Sequence, residues 1–289
     1  MNKPHLIILL SLFLIVSCNT TGIKVAGVDV GALVNQGVTV YESQTFDDTK
    51  ERQLGENLAS VLVSVAPIHS NIKINRYVNK VGQHLARHSN RPSLNWQFAV
   101  LDSDDINAFA APGGFVFITS GALLQLDSEA ELAAMLAHEV IHITQRHHVE
   151  KIKELSLQNA LTEAAFISAE AYQTHSGADM TSRNLTQWAR ALTSMATELY
   201  SKGLDRNDEM EADAEAVTLL NKAGYDIYAM ASVMQKIAAI SPSDSALANL
   251  YSTHPKPADR LSKIALALEN EQDNNGQNLQ VRFQKTIFK

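Results

Sequence analysis

Cysteine is almost absent: one residue in 289, Cys18. A single thiol excludes an intrachain disulfide and any zinc knuckle built on two or more thiolates. Metal chemistry therefore falls to His, Asp and Glu. Positive charge is also short. Lys and Arg number 24 against 31 Asp and Glu, a net charge of −7, so overall charge gives a nucleic-acid role no support. Only 13 Gly and 7 Pro occur, with 45% hydrophobic and 19% charged residues, which argues against collagen, wholesale disorder and a coiled-coil rod. No apolar run reaches the ~20 residues of a comfortable membrane-spanning helix. The length is ample for a sizeable core, in one large domain or two small ones.

The longest apolar run, 6–16, is interrupted only by Ser11 and follows Lys3, as in an export signal. It ends in Ile15-Val16-Ser17-Cys18, a string that resembles the bacterial lipobox, where the cysteine becomes the first mature residue and carries lipid. Residues 1–17 are thus expected to be a lipoprotein signal peptide and Cys18 the lipidation site. The alternative is an ordinary secretory leader with an incidental cysteine. Several acyl chains hold a soluble domain on a bilayer where one is marginal. Asn19, not Asp, follows the cysteine; by resemblance to the sorting rule of enteric bacteria, that points to the outer membrane. Loss of Lys3 leaves the remainder one charge more acidic, so the attachment is expected to be covalent and not electrostatic.

Residues 18–45 lack helical period and read as a lipid-anchored tether. Residues 46–289 read as a single domain with a short tail and no room for a second. From Asp47, Leu54, Leu58, Val61, Leu62 and Val65 share a helical face, closed by Pro67. A second amphipathic helix is expected over 72–88. The period then changes: 95–101, 107–111 and 115–119 read as short strands, the last two joined through Pro112-Gly113-Gly114. Beyond Gly121 the chain reads as helix to about 270, with breaks at 174–179, 203–207, 224–226 and 241–245. The alternation of Leu279, Val281 and Phe283 suggests a final strand over 279–284.

His138-Glu139-Val140-Ile141-His142 lies inside a strong helical pattern, capped by Ser128 with Glu131 three residues on. His138 and His142 fall one turn apart on one side, about 6 Å along the axis, so two imidazoles can hold one ion. Glu139 is offset by about 100° and can reach a water beside that ion. A zinc ion acidifies such a water toward pKa ~7, and Glu139 is placed to take its proton and pass it to a leaving amine. An HExxH string arises by chance only about 0.02 times in a chain of this composition.

Such a site needs a third ligand and an open fourth position. His148 falls at metzincin spacing, but Gln145 stands where that pattern has Gly. On a helix continuing through 129–148, His148 lies about 9 Å past His142 and points about 120° away. The other candidate is a second helix opening at Asp208-Glu209-Met210-Glu211-Ala212-Asp213. Glu209 there can ligate zinc, with Glu211 as the fallback, and Asp213 can hydrogen-bond the far ring nitrogen of a ligating His. The bland alternative is an acidic first turn favoured by the helix dipole.

HExxH followed by Glu209-Met210-Glu211-Ala212-Asp213 resembles the M48 metallopeptidases. The likeness is closest to their soluble periplasmic and lipoprotein branch (BepA- and LoiP-like, here without tetratricopeptide repeats). Asn107-Ala108-Phe109, Pro112-Gly113-Gly114, Gln145-Arg146-His147, Thr253-His254-Pro255 and Arg260 are similar to further strings of that branch. Asp205 departs from it, since Ser often precedes the Arg at position 206. The likeness spans about 47–267. It implies an α+β, mainly α, zincin-like (gluzincin) fold, with an active-site helix, a small β-sheet beside it and surrounding helices. It implies one Zn²⁺ per chain and an endopeptidase acting on misfolded or misassembled envelope proteins. An edge strand near 113–119 is expected to lay a peptide across the zinc, with Gly113, Gly114 and Phe115 as substrate-binding residues; a plain hairpin is the alternative. His254 is read as a catalytic residue that stabilises the oxyanion or gates the zinc, or as a loop histidine. Arg260 is read as catalytic, or as paired to an acidic neighbour. His84, His88, His147 and His148 are read as surface or packing residues, and 159–184 as a helical cover. The competing class is a chaperone-like or scaffold lipoprotein with a structural zinc.

Overall fold

A computed structural model describes residues 24–25, 28–29, 47–155, 199–200, 202–240, 245–271 and 276–289. The signal peptide expected over 1–17, the expected lipidation site Cys18 and the cover expected over 159–184 lie outside these residues. The chain falls into two units, Met1–Gln44 with Leu157–Gly177, and Thr45–Ser156 with Ala178–Lys289. In the first, β1 (Lys24–Val25) and β2 (Val28–Asp29) form a two-residue antiparallel ladder.

The second unit opens with α1 (Asp48–Val65), whose first turn is capped by the Asp47 carboxylate accepting from the Lys50 amide. Leu58 and Leu62 are buried as the period requires, but Val65 at the frayed end is exposed. The helix α2 (Ile72–His88) is capped by Asn71 and buries Ile74, Val78, Val81 and Leu85. The strands β3 (Gln97–Leu101), β4 (Ala108–Ala111) and β5 (Phe115–Thr119) follow where alternation placed them. Their order is β3-β5-β4, with β3 parallel and β4 antiparallel to β5.

The central strand is thus β5, not an edge, and this corrects the expectation for 113–119. Val116 and Ile118 face a core shared with α2 and the helix that carries His138 and His142. Phe115 and Phe117 face a second core under α1 with Leu58 and Leu62. A strand buried on both faces reads as a continuous apolar run, so periodicity alone could not reveal its place in the sheet. The turn before it needs Gly113 and Gly114 at φ 74° and 102°. That turn is pinned to α1: the Gly113 amide donates to Glu51, and Arg52 donates to the Gly113 carbonyl and lies over the Phe115 ring. The outer side of β3 is blocked, because Asn75 and Asn79 accept from its Val100 and Phe98 amides. The sheet edge beside the helix that carries His138 and His142 is therefore β4.

After a short helix α3 (Ser120–Leu124), α4 (Glu129–Thr144) runs through the middle of the unit, with every residue from 129 to 143 buried. A helix with so many apolar neighbours all round belongs at a core's centre. It packs on α2, β4, α5 (Arg206–Lys222) and α6 (Ala229–Ala239). The segment then forms α7 (Ala248–Thr253), α8 (Pro257–Asn270) and α9 (Gln280–Ile287).

Two expectations are corrected by this tail and by the end of α4. Residues 280–287 are helix, not strand: Leu279, Phe283 and Ile287 recur every fourth residue on the core side, while Val281 is exposed. The helix expected through 148 stops at Thr144, because Arg146 takes a left-handed φ of 61°. That conformation costs a non-glycine residue about 1–2 kcal/mol. Arg146 is held there by ion pairs to Asp48 and to the buried Glu51 of α1, which Arg91 also grips with two nitrogens. No helix among the described residues is long and apolar enough to cross a membrane.

Candidate metal centre

Helix α4 presents His138, Glu139 and His142, all buried. Opposite them α5 presents Glu209 and Asp213 from its first two turns, also fully buried. The Nε2 atoms of His138 and His142 lie 3.0 Å apart. Glu209 Oε2 is 3.5 Å from His138 Nε2, and Oε1 is 3.4 Å from His142 Nε2. His254, which closes α7, reaches in from above with Nδ1 2.6 Å from Glu209 Oε2. One donor atom from each of His138, His142, Glu209 and His254 fits within 4.8 Å of the others.

The donor set fits a divalent metal. Glu209 Oε1 is buried without a hydrogen-bond partner among the described residues, and an orphaned buried oxygen is costly unless a cation or water uses it. Two nitrogens and a carboxylate converging on one point are a set that such an ion takes. Glu211, the fallback ligand, is half-exposed and outside this set.

Around the donors runs a supporting layer. Asp213 Oδ1 lies 3.0 Å from His138 Nδ1. Arg260 of α8 grips Asp213 with Nε at 2.8 Å and Nη2 at 2.6 Å, and Nη2 is 3.3 Å from His138 Nδ1. Arg260 is thus paired to an acidic neighbour, Asp213, and lies directly beside His138. The charges follow. Burial works to raise Asp213, but the Arg260 guanidinium overrides it and holds the carboxyl at about 2. Burial likewise opposes ionisation of Glu209, and the surrounding His254, His138 and His142 hold it well below the usual carboxylate range. Burial and Arg260 work to lower His138, yet Asp213 and Glu209 raise it to about 9. Burial and the His138 charge push His142 well below its ordinary value. Glu139 is raised, chiefly by burial.

Glu139 lines two small cavities of about 20 Å³ each, one with Ala108, His142, Tyr200 and His254, the other with His138, Met230 and Arg260. Each has room for about one water. The edge strand β4 borders both. Its Asn107 carbonyl accepts from Thr119 in β5, so by alternation the backbone groups of Ala108 and Ala110 face away from the sheet. Tyr200 donates its hydroxyl to the Ala110 carbonyl. Gly113, Gly114 and Phe115 are not brought to these cavities; Gly113 and Phe115 stand against α1, and Gly114 against Asn95 and Trp96.

The helix break at Arg146 turns His147 and His148 back under the site. Both are buried. His147 Nδ1 is 2.9 Å from His142 Nδ1, and the His148 ring is 5.5 Å from that of His142. His148 thus lies near the centre despite the continuous-helix argument, yet it is not among the converging donors. Burial above all keeps it neutral, lowering it to about 3. Sequence reasoning passed over His147 because nothing local marks Arg146 as a helix stop.

A buried helix-borne HExxH pair, joined by a carboxylate from a second helix, defines the zincin class of metallopeptidases. The chain belongs to peptidase family M48, whose model matches residues 73–267. It is 28% identical over 218 residues to the Beta-barrel assembly-enhancing protease of Escherichia coli (strain K12), covering 75% of this chain and 44% of that protein. It is 28% identical over 236 residues to the Putative beta-barrel assembly-enhancing protease of Vibrio cholerae, covering 81% and 46%. A Mitochondrial metalloendopeptidase OMA1 of Schizosaccharomyces pombe is 30% identical over 188 residues, covering 65% and 51%. The chain thus spans about half the length of these relatives or less.

Proposed function

We propose that this chain is a zinc-dependent endopeptidase that hydrolyses peptide bonds of misfolded or misassembled cell-envelope proteins. The observation that carries the reading is the buried Glu139 beside three converging donors, His138, His142 and Glu209, with an orphaned carboxylate oxygen among them. A purely structural ion has no need of Glu139. When bound, zinc supplies Lewis acidity, acidifying a water and polarising a peptide carbonyl. Glu139 takes the proton from the attacking water and delivers it to the leaving amine. Asp213 and Arg260 hold His138 in register. His254 is the residue that shields the metal or steadies the developing oxyanion. An extended substrate is laid along the outer side of β4, through the backbone of Ala108 and the Ala110 amide, beside the Tyr200 hydroxyl that donates to the Ala110 carbonyl.

The relatives' names support envelope protein quality control as the setting. In this reading 1–17 is a signal peptide, Cys18 carries lipid, 18–45 is a tether and 46–289 a single peptidase domain on the periplasmic face of the outer membrane. The test is Glu139→Gln. It should keep zinc and lose cleavage of casein or of an unfolded outer-membrane protein; equal cleavage by variant and wild type refutes the mechanism. Cys18→Ser should move the protein from membranes to the soluble fraction.

A second reading, a structural zinc in a chaperone-like or scaffold lipoprotein, is favoured by one observation. His254 brings a fourth protein donor to the cluster, and closed four-ligand sites are structural. His254→Ala separates the two. A catalytic site stays active or gains activity with His254 removed, whereas a structural site loses its metal and stability.

A further inference from the structure

We propose that His147 is a positioning residue for the metal ligand His142, fixing its tautomer through an imidazole-to-imidazole hydrogen bond. The inference rests on the metallopeptidase reading of the same centre. A histidine that ligates through Nε2 must carry its proton on Nδ1, which then has to donate. For His138 the acceptor is a carboxylate, Asp213 at 3.0 Å. For His142 no carboxylate among the described residues lies against Nδ1, since Glu209 faces Nε2; the partner of Nδ1 is His147 Nδ1 at 2.9 Å. His147 must therefore accept at Nδ1 and bear its own proton on Nε2. Glu211 Oε2 lies 3.8 Å from that Nε2 and favours the proton there.

The fold builds this contact deliberately. His142 and His147 are five residues apart, a spacing that puts two side chains on different sides of a continuous helix. They meet because α4 ends at Thr144 and Arg146 adopts φ 61°. Arg146 is anchored by Asp48 and Glu51 of α1, so a distant helix sets the angle at which His147 meets the ligand. The two ligands of one metal thus have unlike supports. His138 rests on an anion clamped by Arg260, whereas His142 rests on a neutral ring. A neutral acceptor leaves His142 a weaker electron donor than His138 and adds no further negative charge to the site.

The experiment compares zinc affinity, by competition with a chelating dye, in full-length protein carrying Glu139→Gln to prevent self-cleavage. Two substitutions are added to it singly. His147→Phe keeps a ring of similar size and removes the acceptor. His147→Gln keeps an acceptor oxygen on a chain of similar reach. His147→Phe should weaken zinc binding by about 10–100-fold, and His147→Gln should stay within about threefold of its parent. With cobalt in place of zinc, the visible absorption bands should shift in the Phe variant and return in the Gln variant. Equal affinity of His147→Phe and its parent, or equal losses in both variants, overturns the positioning role. A parent that binds no zinc overturns the metallopeptidase reading itself, so the two failures are distinguishable.

Discussion

Arg260→Met tests the layer behind the metal. The guanidinium is buried and makes two hydrogen bonds to Asp213, which is itself wholly buried. Replacing it with an apolar chain of similar length leaves the carboxylate with His138 as its remaining charged neighbour. Removing one partner of a buried pair costs about 3–5 kcal/mol, because the other charge stays buried and uncompensated. A carboxyl held at about 2 instead of its ordinary 3.8 itself contributes about 2 kcal/mol. The sign is that of a depressed acid: the contribution is complete above the unfolded value and is lost as pH falls through about 2. Metal-free His138 is held charged up to about pH 9 by Asp213 and Glu209 against the pull of burial and Arg260. It takes over part of the compensation, which puts the expected loss near the lower end, about 3 kcal/mol at pH 7.

For a domain of about 150–250 residues that is a fall in Tm of about 6–12 °C. The assay is thermal unfolding in chelator, so that metal affinity does not mask the loss. Asp213→Asn and the Asp213→Asn/Arg260→Met double variant complete the cycle. The double should recover part of what Arg260→Met loses, with a coupling of about 2 kcal/mol. The acid limb of the Arg260→Met stability curve should also move to higher pH, because Asp213 then titrates nearer its ordinary value. A melting temperature within about 2 °C of wild type, together with an unmoved acid limb, refutes the reasoning.

Other outcomes follow from the same geometry. Zinc must expel the proton that metal-free His138 holds up to about pH 9. Zinc affinity, measured by dye competition, should therefore rise about tenfold per pH unit below that value and level off above it. Glu51→Ala removes the acceptor shared by Arg91, Arg146 and the Gly113 amide; chemical denaturation should show a loss of about 3–5 kcal/mol. A methyl group on Gly82 would stand 2.2 Å from the Phe98 ring. Gly82→Ala should thus destabilise by about 1–2 kcal/mol, although alanine favours the helix by about 1 kcal/mol.

Some of this protein was legible in its residues because the signals are local. Helix α2 matched its expected bounds, since Asn71 caps it and one apolar stripe runs its length. His138, Glu139 and His142 are fixed on one helix by spacing alone, and Glu209 and Asp213 on another. Pairing across helices was inferable only from the chemical need for a third ligand, and the structure brings those side chains together. The helix at 280–287 was misread because a short stretch of alternating apolar residues carries both periods, and packing of Phe283 chose between them.

What the sequence determined by itself is the chemistry: with one cysteine and this HExxH pair, metal ligation had to come from imidazoles and carboxylates. Local spacing sets which side chains share a face, so the candidate ligand types and their order along the chain were legible there. Tertiary structure alone decided the rest. It made β5 central and β4 the edge, because strand order depends on what covers each face. It set Arg260 behind Asp213 and brought His254 to Glu209, since residues far apart in the chain meet only through packing. It also ended α4 at Thr144, because Asp48 and Glu51 on another helix hold Arg146 in a conformation its own neighbours do not ask for.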